Sequence, residues 1–131
     1  MNGWKVLLVD DEKDFALTLA ERLGMRGIQV STAFSGQEAL NLLETYQPDV
    51  MVLDLMMPGM SGSTVLGRVK NLYPNLPIIL LTGLSSSVEG VSGIIQGAFD
   101  FLIKPLQIEE LIEKIGLSVK RRSSVETDQG K

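Results

Sequence analysis

Short apolar runs alternate with segments of helical periodicity along most of the chain. Lys5-Val-Leu-Leu-Val9 is a continuous apolar run ended abruptly by Asp10-Asp11-Glu12, the pattern of a strand buried on both faces. Phe15, Ala16, Leu19, Ala20 and Leu23 then recur at the spacing of one helical face, and Gly24 and Gly27 bracket the helix end. Ile28 to Ala33 reads as a second strand. Ser35-Gly-Gln-Glu38 has the form of a capping box, and the helix it opens shows Ala39, Leu40, Leu43 and Tyr46 on its apolar stripe before Pro48. Val50 to Leu53 is a third strand, followed by Asp54, a turn-rich loop through Pro58-Gly-Met-Ser-Gly62, and a helix with Val65, Leu66, Val69 and Leu72 inward. Pro77 to Leu81 predicts a fourth strand. Ser85 to Gln96 predicts a fourth helix, a weak one, because each interior glycine (Gly90, Gly93) costs ~1 kcal/mol relative to alanine. Phe99 to Ile103 is a fifth strand, and Ile108, Leu111, Ile112, Ile115 and Val119 mark a fifth helix over Ile108 to Val119. Residues 1–122 form one domain in this reading, and Ser123 to Lys131 is a polar, disordered tail or the start of a linker.

Strict alternation of strands with helices implies right-handed crossovers and an α/β, doubly wound sheet of five parallel strands covered by five helices. Ligands of such sheets bind beyond the carboxyl ends of the strands. Those ends carry Asp10-Asp11, Asp54, Thr82 and Lys104-Pro105, so polar groups from four segments converge on one edge. Gathered carboxylates repel one another unless a cation neutralises them. A bare Asp-Asp pair after a strand also has an ordinary alternative, as a turn or a helix N-terminal charge. Asp14, Asp49 and Asp100 need no part in the site; capping or solvated roles suffice for them.

Composition narrows the chemistry. With no cysteine and no histidine, disulfides, thiol catalysis and the commonest general base and transition-metal ligand are excluded. Any metal should then be a hard, oxygen-bound ion such as Mg²⁺, with Mn²⁺ as a substitute. A net charge of -4 argues against direct nucleic-acid contact, no apolar run approaches membrane-spanning length, and the N-terminus has no signal-peptide pattern, so a cytoplasmic setting is expected.

The segments Leu7-Leu-Val-Asp-Asp-Glu12, Val52-Leu-Asp-Leu-Met-Met-Pro-Gly-Met-Ser-Gly62, Ile79-Leu-Leu-Thr-Gly83 and Gly97-Ala-Phe-Asp-Phe-Leu-Ile-Lys-Pro105 resemble the response-regulator receiver family, in order, over roughly residues 4 to 121. The resemblance implies a flavodoxin-like strand order 2-1-3-4-5. It makes Asp54 the acceptor of a phosphoryl group from the phosphohistidine of a histidine kinase or phosphotransfer protein. Asp11 directly, Asp10 partly through water, Asp54 and the Met56 backbone carbonyl would hold Mg²⁺. Lys104 would pair with Asp54 before transfer and with the phosphoryl oxygens afterwards, across a cis Lys104–Pro105 bond, and Thr82 would donate its hydroxyl to a phosphoryl oxygen.

The same resemblance implies that Thr82 and an aromatic on the fifth strand, here Phe101, form the switch; Phe101 either favours the inward rotamer or is plain core. Phosphorylation would order the fourth helix and alter the surface of fourth helix, fifth strand and fifth helix, for an output domain, a partner protein or a dimer. Met56 and Leu84, both apolar and bordering the path of attacking water, predict slow self-dephosphorylation. Such a chain is a signalling phosphoacceptor rather than an enzyme. Among rivals, a flavodoxin needs a phosphate-cradling loop where Asp10-Asp11-Glu12 would repel one, and a haloacid-dehalogenase-like phosphatase needs an Asp-x-Asp after its first strand. The third rival is a degenerate receiver acting as a phosphorylation-independent interaction module, against which the full set of Asp10, Asp11, Asp54, Thr82 and Lys104 argues.

Overall fold

The computed structural model describes residues 3–83, 92, 94 and 96–129, with side chains described as far as Arg122. Its elements are β1 (Lys5–Val9), α1 (Lys13–Gly24), β2 (Gln29–Ala33), α2 (Gly36–Leu43), β3 (Val50–Asp54), α3 (Gly62–Leu72), β4 (Ile78–Thr82), β5 (Asp100–Ile103) and α4 (Ile108–Gln129). The sheet has the expected order β2-β1-β3-β4-β5, with every pairing parallel. The helix predicted over Ser85 to Gln96 lies outside the described residues except at Ser92, Ile94 and Gln96, so four helices rather than five stand among the described residues.

The continuous apolar runs become central strands because alternate side chains feed two separate cores. Leu7, Val9, Met51, Leu53, Ile78 and Leu80 enter one cluster under α2 and α3. Val6, Leu8, Val50, Val52, Ile79 and Leu81 enter the other, under α1 and α4. Each of these side chains is wholly buried, a contribution of roughly 1.5–3 kcal/mol apiece before the opposing entropy. The edge strands β2 and β5 are only half-buried.

Local signals set the helix ends. The Ile28 N–H donates to the Leu23 carbonyl at 3.2 Å and the Gly27 N–H to that of Gly24 at 3.0 Å, a Schellman closure that requires the left-handed φ of 84° at Gly27. At α2, Ser35 Oγ accepts from the Glu38 N–H at 3.1 Å, while Glu38 Oε1 accepts from the Phe34 N–H at 3.2 Å, one residue upstream of the usual capping-box partner. Ser61 caps α3 in the same manner, accepting from the Thr64 N–H at 3.2 Å.

One prediction is corrected. The last helix does not stop at Val119 but runs to Gln129, so most of the segment read as a disordered tail is helical. Its apolar stripe ends where predicted, yet neither Gly nor Pro interrupts the chain between Val119 and Gly130. Arg122 also anchors the helix, its Nη1 donating to the Pro48 carbonyl at 3.0 Å.

Candidate functional site

Register places the site. Val9 pairs with Leu53, Asp54 with Leu81, and Thr82 with Ile103, so the carboxyl ends of β1, β3, β4 and β5 are level and Asp10, Asp54, Thr82 and Lys104 share one edge. Asp10, Asp54 and Thr82 are 0%, 3% and 0% exposed, unusual for two carboxylates. Each aspartate is held by its own loop, since Asp10 Oδ1 accepts from the Glu12 N–H and Asp54 Oδ1 from the Met56 N–H, both at 3.0 Å.

Lys104 is the cation of this cluster, and it pairs more closely with Asp10 and Glu12 than with Asp54, the expected partner. Its Nζ lies 2.9 Å from Asp10 Oδ2 and 3.1 Å from Glu12 Oε1, and 3.6 Å from Asp54 Oδ2. The ammonium also sits over the ring of Phe15, 4.4 Å from its centroid. The Lys104–Pro105 bond is cis, as anticipated.

The carboxylate oxygens that gather within 4.8 Å of one another belong to Asp10, Glu12 and Asp54. Asp11, expected as the direct metal ligand, is half-buried and is not one of the three. Glu12 was missed by the sequence reading, although the acidic triplet Asp10-Asp11-Glu12 gave a signal for it. Three carboxylates against one ammonium form an all-oxygen, net-negative donor set, which suits a hard divalent cation. Beside them Thr82 Oγ1 is buried with no hydrogen-bond partner among the described residues. A buried hydroxyl left so costs about 1–3 kcal/mol, which an acceptor oxygen arriving at this edge would recover.

Burial, and then the charge of Asp10, push the Asp54 carboxyl above its ordinary pKa against the opposing pull of the Met56 N–H and Lys104. For Lys104, burial works to lower the pKa, but the hydrogen bond to Asp10 and the charges of Asp54 and Asp10 outweigh it and hold the ammonium above its usual value. A carboxyl raised in the folded state stabilises the fold below its unfolded pKa and loses that contribution as pH rises through the folded value. Ionised Asp54 therefore opposes folding at pH 7. Asp54→Asn is expected to melt about 3 °C above the native chain at pH 7, a difference that shrinks on acidification toward pH ~4. Scanning calorimetry at the two pH values checks this, and an unchanged or lower melting point at pH 7 would count against it.

The remaining aspartates lie elsewhere, as expected. Asp49 Oδ2 accepts from the Lys5 N–H at 2.8 Å, Asp100 pairs with Lys114 at 2.6 Å, and Asp14 sits in the first turn of α1. Phe101 is partly buried against the cluster under α2 and α3.

Comparison with known proteins agrees with this geometry. The description "response regulator receiver domain" matches residues 6–116. The receiver domain of the Francisella response regulator 1452 is 37% identical, with 91% of this chain and 98% of that one covered and a TM-score of 0.84. A response regulator receiver domain protein from Clostridium thermocellum is 30% identical, with 93% and 98% covered and a TM-score of 0.89. NtrX from Brucella abortus is 28% identical with a TM-score of 0.92; the match takes in 97% of this chain but 29% of that longer one. With a match over most of its length and two receiver domains at this level of identity, the chain belongs to the response-regulator receiver family.

Proposed function

We propose that the chain is a phosphoacceptor that takes a phosphoryl group onto Asp54 from a phosphohistidine of a histidine kinase or phosphotransfer protein in the cytoplasm. One observation carries this: a buried carboxylate at the end of the central strand faces a lysine ammonium, and the strand beside it offers a buried hydroxyl with no hydrogen-bond partner among the described residues. An Asp54 carboxylate oxygen forms the new O–P bond while the P–N bond to the donor imidazole breaks, its electron pair going to the ring nitrogen. Asp54 is pinned through Met56 at Oδ1 and needs little reorganisation to present Oδ2, which faces Lys104. Lys104 and the Thr82 hydroxyl meet the phosphoryl oxygens and offset their charge. Asp10, Asp54 and either Glu12 or Asp11, with the Met56 carbonyl, would hold Mg²⁺ or Mn²⁺, which supplies charge neutralisation for an in-line transfer.

Readout follows from the roughly two negative charges that phosphorylation adds. Thr82 would move toward the new group and Phe101 would pack behind it, altering the surface formed by the β4–β5 segment, β5 and α4 for an output domain or partner. The Met56 side chain is 61% exposed at the mouth of the site and cannot orient an attacking water by hydrogen bonding, which supports slow self-dephosphorylation; Leu84, the other position bearing on it, lies outside the described residues.

Intact-protein mass after incubation with acetyl phosphate tests the proposal. One phosphoryl adduct is expected with Mg²⁺, none with a chelator, and none in Asp54→Asn. A native chain that gains no adduct from acetyl phosphate or from a phosphohistidine donor would instead favour the phosphorylation-independent interaction module.

A further inference from the structure

Lys104 has two sets of neighbours, and the closer set is not the phosphoacceptor. Its ammonium touches Asp10 and Glu12 at 2.9 and 3.1 Å and covers the Phe15 ring at 4.4 Å, while Asp54 stands at 3.6 Å. Asp10 belongs to the acceptor pocket, wholly buried at the end of β1. Glu12 and Phe15 lie at its rim: Glu12, though its carboxylate reaches the cluster, is largely exposed on the turn before α1, and Phe15 lies in that helix's first turns, partly buried against the core under α1 and α4. A charge and a π-face at the rim of the pocket thus flank the same cation.

We propose that Glu12 and Phe15 are positioning residues that hold Lys104 in a resting place beside Asp10, so that the lysine must be released from them before it can meet a phosphoryl group on Asp54. This rests on the phosphoacceptor reading above. The resting place and the phosphoryl oxygens compete for one ammonium. Anything that favours the resting place lowers the fraction of chains with the lysine free to engage, and the apparent rate of phosphorylation falls by that fraction. Glu12 also adds a negative charge that repels an anionic donor, whereas Phe15 carries no charge. Phe15 is therefore the discriminating residue. A partly exposed cation–π contact of ~0.5–1 kcal/mol corresponds to a two- to five-fold change.

The test has two arms, one independent of phosphorylation. In the first, the Lys104 ammonium and its neighbouring methylene protons are followed by NMR in the resting native chain, assigned by their loss in Lys104→Arg. The native resonances should be displaced upfield by the ring current of Phe15. They should move toward free-lysine values in Phe15→Leu, stay displaced in Phe15→Tyr, which keeps the ring, and exchange faster with water in Glu12→Gln. In the second arm, the rate of adduct formation with acetyl phosphate and Mg²⁺ should rise two- to five-fold in Phe15→Leu. Lys104 resonances that ignore Phe15→Leu, or a Phe15→Leu rate equal to or below the native one, would overturn the proposal. Absence of any adduct on the native chain would instead strike the phosphoacceptor reading, and the resonances would still report whether the resting place exists.

Discussion

Lys104→Met is expected to destabilise the chain by about 3 kcal/mol, lowering its melting temperature by roughly 10 °C. Methionine keeps the side chain as far as its Cε and removes the ammonium, so the loss is chiefly that of the charged nitrogen and its contacts. Asp10 is wholly buried and Asp54 nearly so; without the ammonium they face each other as like charges, with Glu12 adding a third at the rim. Removing one partner of a buried pair is costly because the other is left behind. The Lys104 contribution is complete at neutral pH and fades only as pH rises above the usual lysine range, because its folded pKa lies above the unfolded one. Millimolar Mg²⁺ should restore part of the loss, and raise the melting point of the variant more than that of the native chain, since the variant has one cation fewer among its carboxylates. Calorimetry with Mg²⁺ and with chelator reads both effects. A variant that melts with the native chain would show that the ionic cluster does not hold this edge together.

Gly62→Ala should damage both stability and site. A Cβ added at Gly62 would stand 2.5 Å from Leu55 Cα and 2.9 Å from the carbonyl oxygens of Asp54 and Leu55. All three are backbone atoms, so no side chain can rotate out of the way. Alanine favours a helix over glycine by about 1 kcal/mol, but overpacking against a fixed backbone costs up to ~3 kcal/mol, and a net loss of about 2 kcal/mol is expected. The atoms that must yield carry Asp54, the proposed phosphoacceptor, and a displacement approaching 1 Å there should slow adduct formation by roughly ten- to a hundred-fold. Gly67, in the same helix with nothing within 4 Å of its would-be Cβ, is the control: Gly67→Ala should stabilise by ~0.5–1 kcal/mol and leave the rate alone. Equal behaviour of the two variants would mean that close packing at the start of α3 does not position Asp54.

The central strands were legible because each is apolar on both faces and stops at a charge; Lys5–Val9 and Val50–Asp54 could scarcely be anything else. Asp10, Asp54, Thr82 and Lys104 followed, since a doubly wound sheet makes every strand end a site position. Glu12 was less visible because a third acidic residue on a turn looks like a solvated charge, and its significance depends on a lysine 92 residues away. Phe15 counted only as one member of an apolar helical stripe, and periodicity cannot say that a ring at its margin also covers a cation. The length of α4 escaped for a different reason. Beyond Val119 the apolar stripe ends, and a helix stabilised by propensity and one arginine anchor leaves no periodic trace.

The contact between Lys104 and Asp10 joins residues 94 positions apart, from the first strand and from just past the last. Parallel pairing makes this unavoidable, because each strand must wait for the crossover that precedes it. An emerging or partly folded chain can therefore hold Asp54 without its lysine and without the threonine of β4. On the phosphoacceptor reading, a chain that fails to complete its sheet lacks that lysine and stays silent rather than answering wrongly.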